Sequence, residues 1–375
     1  MKVKNSSNAL ELDVPEYIKN LIPYPPGKPL EELEREYGVT KAIKLASNEN
    51  PFGPSPKAVE AITQKLSQLH RYPDGSGYYL KNKLATLYGL EPENFVLGNG
   101  SNEIIDLLIR VLVRPGKEVL TSHPSFLVYQ KMVQACGGKN TIVELKNFTH
   151  DLVKMASLAT DATSIIFLDN PNNPTGSILD KKDFDSFLKD LPPKVIVALD
   201  EAYMEFAENA DTPKAVEYIG SDNRVVGLRT FSKAYGIAGL RVGYGIMCNS
   251  LASLLERVRQ PFNVNILAQA AAEASIEDQD YLEQTLKNNE EGKIFLTNRL
   301  EEMGFKVFPS HTNFILVDTG IDAKQLCDAL LPKGVIIRFM GSYGLDKFVR
   351  ITIGTPEENK RCIDAIKETL SQLEV

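Results

Sequence analysis

Four polar clusters stand where apolar runs end, and each carries residue types able to do chemistry. Gly98-Asn99-Gly100-Ser101-Asn102 follows Phe95-Val96-Leu97 and precedes an amphipathic stretch. Free N–H groups at a helix start, together with the helix dipole, make an anion site. The same residues also suit a tight strand-to-helix turn capped by Ser101. Asp200 comes directly after Val195-Ile196-Val197-Ala198-Leu199. A carboxylate at the carboxyl end of a parallel strand faces the ligand crevice, or serves as a local cap or ion-pair partner. Asn170-Pro171-Asn172-Asn173-Pro174-Thr175-Gly176 follows another apolar run and is turn chemistry that also brings several amides to that edge. Thr230-Phe231-Ser232-Lys233-Ala234-Tyr235-Gly236 ends a fourth run, with Arg241 soon after. A lysine beside small hydroxyl residues at a strand end suits a Schiff-base nucleophile, or a solvated surface charge.

On successive connections of one sheet, these clusters would put an anion cradle, an amide, a carboxylate and a lysine on one edge. Pyridoxal phosphate needs that set. Its phosphate needs N–H donors and a cation, its ring nitrogen a carboxylate, and its aldehyde a lysine amine. Other chemistries lack their signatures. The glycines at 98 and 100 are not followed by the third of a dinucleotide fingerprint, and no P-loop or GxSxG is present. His70, His123, His150 and His311 show no metal spacing, so no metal site is expected.

The elements needed to hold the clusters are legible. Between residues 94 and 260, short β-type runs at 95–97, 118–120, 141–143, 164–168, 195–199 and 225–228 alternate with helical patterns such as 102–113 and 180–190. Strands apolar on both faces, separated by helices, predict an α/β fold with a mostly parallel sheet covered on both sides. Ser55-Pro56 is a helix start, with Ser as cap and Pro in the first turn. A long helix is expected over 278–303, stopped by Gly304, then strands at 307–308, 314–317 and 349–353. Thr355-Pro356-Glu357-Glu358 is a capping box that opens a last helix. We expect an N-terminal arm at 1–44, a large domain at 45–261 and a smaller α+β domain at 262–375.

The chain has 375 residues, enough for about two domains and a core that needs no staple. With 42 basic and 49 acidic residues the net charge is −7, which argues against general nucleic-acid binding. Cys136, Cys248, Cys327 and Cys362 are scattered, as expected of thiols in a reducing compartment. The first residues carry no apolar signal core, and no run approaches the roughly 18 apolar residues of a bilayer span. A cytoplasmic protein without membrane partners is expected.

The segments 170–176, 199–203, 229–236 and 241–244 resemble the fold-type I pyridoxal-phosphate aminotransferases. Lys44-Leu45-Ala46-Ser47-Asn48-Glu49-Asn50-Pro51, Arg71-Tyr72-Pro73-Asp74-Gly75 and Arg350-Ile351-Thr352-Ile353-Gly354-Thr355 are similar to the histidinol-phosphate branch of that family. The likeness runs in order from about Tyr24 to the end. It implies the fold-type I architecture and the following roles. Lys233 would carry the cofactor as a Schiff base and shuttle the substrate proton, while Asp200 would hold the ring-nitrogen proton. Asn173 and Tyr203 would bond the ring hydroxyl oxygen. Phe126 would stack on the ring, where many members carry Tyr. Ser101, Asn102, Thr230, Ser232 and Arg241 would cradle the phosphate, Asn102 by its backbone N–H where relatives often carry an acid. Tyr72 would reach the phosphate of the neighbouring subunit, making a homodimer with shared sites. Arg338 and Arg350 would hold the anionic end of the substrate, and Tyr24 would close over it.

The implied reaction is amino transfer between L-histidinol phosphate and 2-oxoglutarate or glutamate, in histidine biosynthesis. Two enzymes on the same scaffold are the alternatives: a threonine-phosphate decarboxylase, and an aromatic or broad-range aminotransferase. A transcription factor built on such a scaffold would need a DNA-binding module, for which the arm before Tyr24 is too short.

Overall fold

In the computed structural model, which describes residues 12–23, 27–114 and 116–372, the chain builds two sheets. Its first strand, β1 (Ile43–Leu45), belongs to the smaller one. The larger sheet takes the next seven strands: β2 (Phe95–Gly98), β3 (Glu118–His123), β4 (Lys139–Glu144), β5 (Thr163–Asp169), β6 (Ile196–Asp200), β7 (Val225–Thr230) and β8 (Gly243–Ile246). Their order is β2-β8-β7-β6-β5-β3-β4. Only β8, in this sheet, runs against its neighbours. The helices Ser101–Leu112, Val128–Ala135, Lys181–Asp190 and Asn249–Val258 cover its faces.

Period-two alternation explains why both faces are dry. Ile165 and Phe167 of β5, Ala198 of β6 and Val226 and Leu228 of β7 pack into one cluster with the helix Ser101–Leu112. Ile166 and Leu168, Val197 and Leu199, and Val225 pack on the opposite face with Phe184, Phe187 and Leu188. From β5 the chain steps to β6 and β7 on one side, while β3 and β4 lie on the other. The crevice at this reversal, outside the carboxyl ends of the strands, is where such sheets receive ligands.

The smaller sheet adds β9 (Lys306–Val307), β10 (Phe314–Asp318), β11 (Val335–Phe339) and β12 (Phe348–Thr352), in the order β1-β11-β12-β10-β9. It packs with the long helix Gln279–Glu301 and the last helix Pro356–Gln372 around Leu296, Leu300, Ile315, Ile351 and Ile366. Several predicted helix ends are present. Ser55 Oγ accepts from Ala58 N at 3.1 Å. Thr355 and Glu358 close a reciprocal capping box, at 3.2 and 2.8 Å.

One local expectation is corrected. Ser101 does not cap the helix after β2. It is the first helical residue, and Gly100 occupies the cap position without a side-chain bond. Gly100 has φ +75° and ψ 168°, a conformation essentially restricted to glycine, so the turn needs no capping side chain.

Candidate active site

The carboxyl ends of the parallel strands and the first turn of the helix Ser101–Leu112 open onto one cleft of about 420 Å³. Of the residues singled out from sequence, Ser101, Asn102, Phe126, Asn173, Asp200, Tyr203, Thr230, Ser232, Lys233, Arg241, Arg338 and Arg350 all line it. Tyr72 does not. It is 81% exposed and stacks on Phe262, with ring centroids 4.8 Å apart. Tyr24 lies outside the described residues.

The end of the cleft suited to an anion combines backbone and side-chain donors. The helix beginning at Ser101 leaves its first N–H groups without intrahelical acceptors. Two glycines let three segments converge there. A Cβ on Gly100 would stand 2.6 Å from Arg241 Nη2, and one on Gly243 2.5 Å from the Ser101 nitrogen. The Thr230 hydroxyl donates to Ser232 Oγ at 3.0 Å and accepts from Ser232 N at 3.1 Å. Arg241 Nη1 donates to Ser232 Oγ at 3.4 Å. Hydroxyls, a guanidinium and helix N–H groups together make a donor set that could hold a phosphate.

Lys233 follows β7 and leans toward the segment after β1, its Nζ donating to the Ser47 carbonyl at 3.3 Å. Burial and the nearby Arg350 and Arg241 charges lower its pKa to about 8, against partial opposition from Glu49 and Asp200. An amine so placed is about a tenth unprotonated at pH 7, far more than a lysine at its ordinary pKa, which favours it as a nucleophile.

Asp200 is the last residue of β6 and is 4% exposed. Burial pushes its carboxyl up to about 7, and the neighbouring Asp169 adds to that, while the Tyr129 hydroxyl, donating to Oδ2 at 2.6 Å, opposes it. Ala202 N donates to Oδ1 at 3.2 Å. Behind it, Arg229 ties β7 to the segment after β6 by pairing with Glu201 and Glu205 at 3.4 and 3.0 Å, all three out of water. Losing one member of such a buried set is costly, because it strands the others' charge.

The remaining polar groups are oriented by their partners. Tyr203 accepts from Asn48 Nδ2 at 2.9 Å, so its own proton is available to donate, and burial raises its pKa well above the usual phenol value. Asn173 Oδ1 accepts from Arg350 Nη1 at 2.6 Å, which leaves the Nδ2 end as donor. Arg350 also donates to the Ala46 carbonyl at 2.8 Å and lies over the Phe314 ring. Arg338 and Arg350 are register partners on β11 and β12, so both guanidiniums arise from the same face of the smaller sheet.

Three contributors were not singled out from sequence. Tyr129 sits in the helix Val128–Ala135, and Asp169 ends β5 as Asp200 ends β6. Asn48, at φ +56°, joins the parts of the chain. Its N donates to Thr352 Oγ1 at 3.0 Å, its carbonyl accepts from Asn313 Nδ2 at 3.0 Å, and its amide reaches Tyr203. Asp169 occupies the same strand-end position that drew attention to Asp200, and that signal was available.

The arrangement can hold a phosphate at one end, an aldehyde at Lys233 and a ring nitrogen at Asp200, with Tyr203 and Asn173 as donors between them. The donor set fits pyridoxal phosphate, on the strength of the glycine-lined cradle and the depressed lysine. The profile of the Aminotransferase class I and II family matches residues 40–366, and the chain belongs to that family. Within it, the chain is 49% identical to the histidinol-phosphate aminotransferase of Desulfotalea psychrophila, over 97% of each chain. It is 45% identical to the histidinol-phosphate aminotransferase of Moorella thermoacetica, over 95% of this chain and 92% of that one. The crystal structure of histidinol-phosphate aminotransferase from Sinorhizobium meliloti in complex with pyridoxal-5'-phosphate superposes with a TM-score of 0.90 at 30% identity, covering 97% of this chain and 99% of that one.

Proposed function

We propose that this chain transfers the amino group of L-histidinol phosphate to 2-oxoglutarate, with pyridoxal 5'-phosphate as resident cofactor, in histidine biosynthesis. The observation that carries the reading is the convergence of Lys233, Asp200 and the helix start at Ser101 on one cleft. Near-full-length similarity to aminotransferases of that name supports the substrate over threonine-phosphate decarboxylation or a broad aromatic range.

When bound, the cofactor supplies an electron sink for charge released at the substrate carbon. The residues do the rest. Ser101, Asn102 (by its backbone N–H), Thr230, Ser232 and Arg241 would hold its phosphate, Phe126 would cover the ring, and Asp200 would keep a proton at the ring nitrogen. Lys233 would hold the cofactor's aldehyde and, once freed by substrate, move a proton at its Nζ, a task suited to an amine lowered to about 8. Tyr203 and Asn173 would donate to the ring oxygen. Arg338 and Arg350 would clamp the anionic group, a phosphate in one half-reaction and a carboxylate in the other, since planar guanidiniums suit both.

The same reading places Tyr72 in the cleft of a second copy, which its exposure and its aromatic neighbour Phe262 support, and so makes the enzyme a homodimer with shared sites. It divides the chain into an arm at 1–44, a large domain at 45–261 and a small domain at 262–375, and places the protein in the cytoplasm, where its free cysteines stay reduced. No helix among the described residues is long and apolar enough to cross a membrane.

The deciding experiment mixes the yellow protein with histidinol phosphate alone. The visible band should convert to that of the aminated cofactor and return on adding 2-oxoglutarate. Carbon dioxide release from threonine phosphate, with no response to histidinol phosphate, would replace this reading with the lyase.

A further inference from the structure

Asp169 is, with Glu49 and Asp200, one of three carboxylates lining the cleft, and the proposed reaction has no chemical step for it. It is 3% exposed and stands beside Asp200 as its register partner on β5 and β6. The hydrogen-bond partners of its carboxylate oxygens are all donors. Ser125 Oγ and Asn172 Nδ2 reach Oδ1 at 2.7 and 3.1 Å. The backbone N–H groups of Phe126 and Asn173 reach Oδ2 at 3.3 and 2.9 Å.

These donors come from two connections. Ser125 and Phe126 follow β3, whereas Asn172 and Asn173 follow β5, and the two strands flank the point where the sheet order reverses. One side chain thus spans the crevice floor and fixes the backbone beneath two cleft residues, the Phe126 ring and the Asn173 amide. Asp169 is itself held from behind. His150 Nε2 lies 3.0 Å from the Asp169 carbonyl and 3.2 Å from Oδ1. Because a carbonyl only accepts, Nε2 carries the hydrogen. His150 Nδ1 meets Ser122 Oγ at 2.7 Å, which fixes the ring from its other edge.

We infer that Asp169, oriented by His150, is a positioning residue of the reaction that sets the spacing between the Phe126 ring and the Asn173 amide. The inference rests on the functional reading above. A plain loop staple would affect only stability. A positioning residue must change how the cofactor sits and how fast the chemistry runs, because small misplacements at a reacting centre cost rate more than binding.

The experiment compares the wild type with Asp169→Asn, which keeps the side-chain shape but turns an amide N–H toward the donors. In the cofactor-free protein, hydrogen exchange at Phe126 and Asn173 should quicken about tenfold or more as the charge-assisted bonds are lost. In the loaded protein, the visible circular dichroism band should lose about half its amplitude, and kcat should fall about 100-fold while KM for glutamate stays within about threefold. His150→Gln should move each readout the same way by less, and it serves if Asp169→Asn does not fold; Ser125→Ala removes a single donor and is the mildest version. Variants that lose stability but keep the wild-type dichroism and kcat reduce Asp169 to a staple and overturn the inference. A wild type that takes up no cofactor overturns the functional reading itself, whereas a normally loaded wild type matched by its variants overturns only this inference.

Discussion

Tyr129 donates its hydroxyl to Asp200 Oδ2 at 2.6 Å, with both side chains shut away from water. The bond pins one carboxylate oxygen and lowers the proton affinity that burial raises, so it sets both where Asp200 sits and how it titrates. Tyr129→Phe removes that donor at almost no change in volume, leaving the ring stacked on Phe167. Losing a hydrogen bond to a charged group costs about 1.5–3 kcal/mol, so kcat should fall about tenfold to 100-fold, with the pH-rate profile shifted upward on its Asp200 limb. Steady-state kinetics from pH 6 to 9 measures this, and an unchanged profile would separate Tyr129 from the reaction.

Asp200→Asn should abolish turnover and yet stabilise the cofactor-free protein at pH 8. The sign follows from the raised carboxyl. A group with a higher pKa folded than unfolded contributes fully below the unfolded value, near 3.8, and loses that contribution as pH climbs toward about 7. Three pKa units correspond to at most about 4 kcal/mol. Urea denaturation should find variant and wild type alike near pH 4 and the variant ahead at pH 8; a variant weaker at pH 8 than at pH 5, relative to wild type, contradicts the strain assigned to Asp200.

Gly100→Ala strikes the proposed phosphate cradle without replacing a polar side chain. The new Cβ would crowd Arg241 and force an unsuitable backbone conformation, with a cost of about 1–3 kcal/mol. Cofactor affinity measured by equilibrium dialysis should drop about tenfold or more, and dialysis constants matching wild type would place the phosphate elsewhere.

Borohydride reduction of the yellow protein should fix the cofactor to the peptide containing Lys233, which the lowered pKa singles out among the described lysines. Label recovered on another lysine would refute the assignment.

Arg350→Lys keeps the charge but loses the planar fork that both donates to Asn173 and faces the cleft. KM for glutamate and for histidinol phosphate should both rise about tenfold or more. A rise for only one of them would give the two half-reactions separate anion clamps.

Much of the fold was legible because burial on both faces leaves a strong mark. Runs such as Ser164-Ile165-Ile166-Phe167-Leu168 alternate between two cores and still read as continuously apolar. β8 escaped because Gly243-Tyr244-Gly245-Ile246 reads as turn residues; its glycines admit Ser101 and Ile104 at close range. β1 has only three residues, and its parallel pairing with β11 joins Ile43 to the distant Val335, a partner no local pattern reveals. In the site, strand-end residues announced themselves through position, as Asp200 and Lys233 did. Tyr129 could not, since it sits in an ordinary amphipathic helix and meets Asp200 from 71 positions away. Ser101 misled because serine is a frequent cap, and the glycine before it had already solved the turn.

Asn48 binds Thr352 and Asn313 on one side and Tyr203 on the other. A nascent polypeptide released before residue 352 therefore lacks the anchor that orients the tyrosine, however well its first sheet has formed. Turnover is then a readout of finished synthesis, and complementation by separately expressed halves should depend on whether the piece bearing Asn48 can dock onto the piece bearing Thr352.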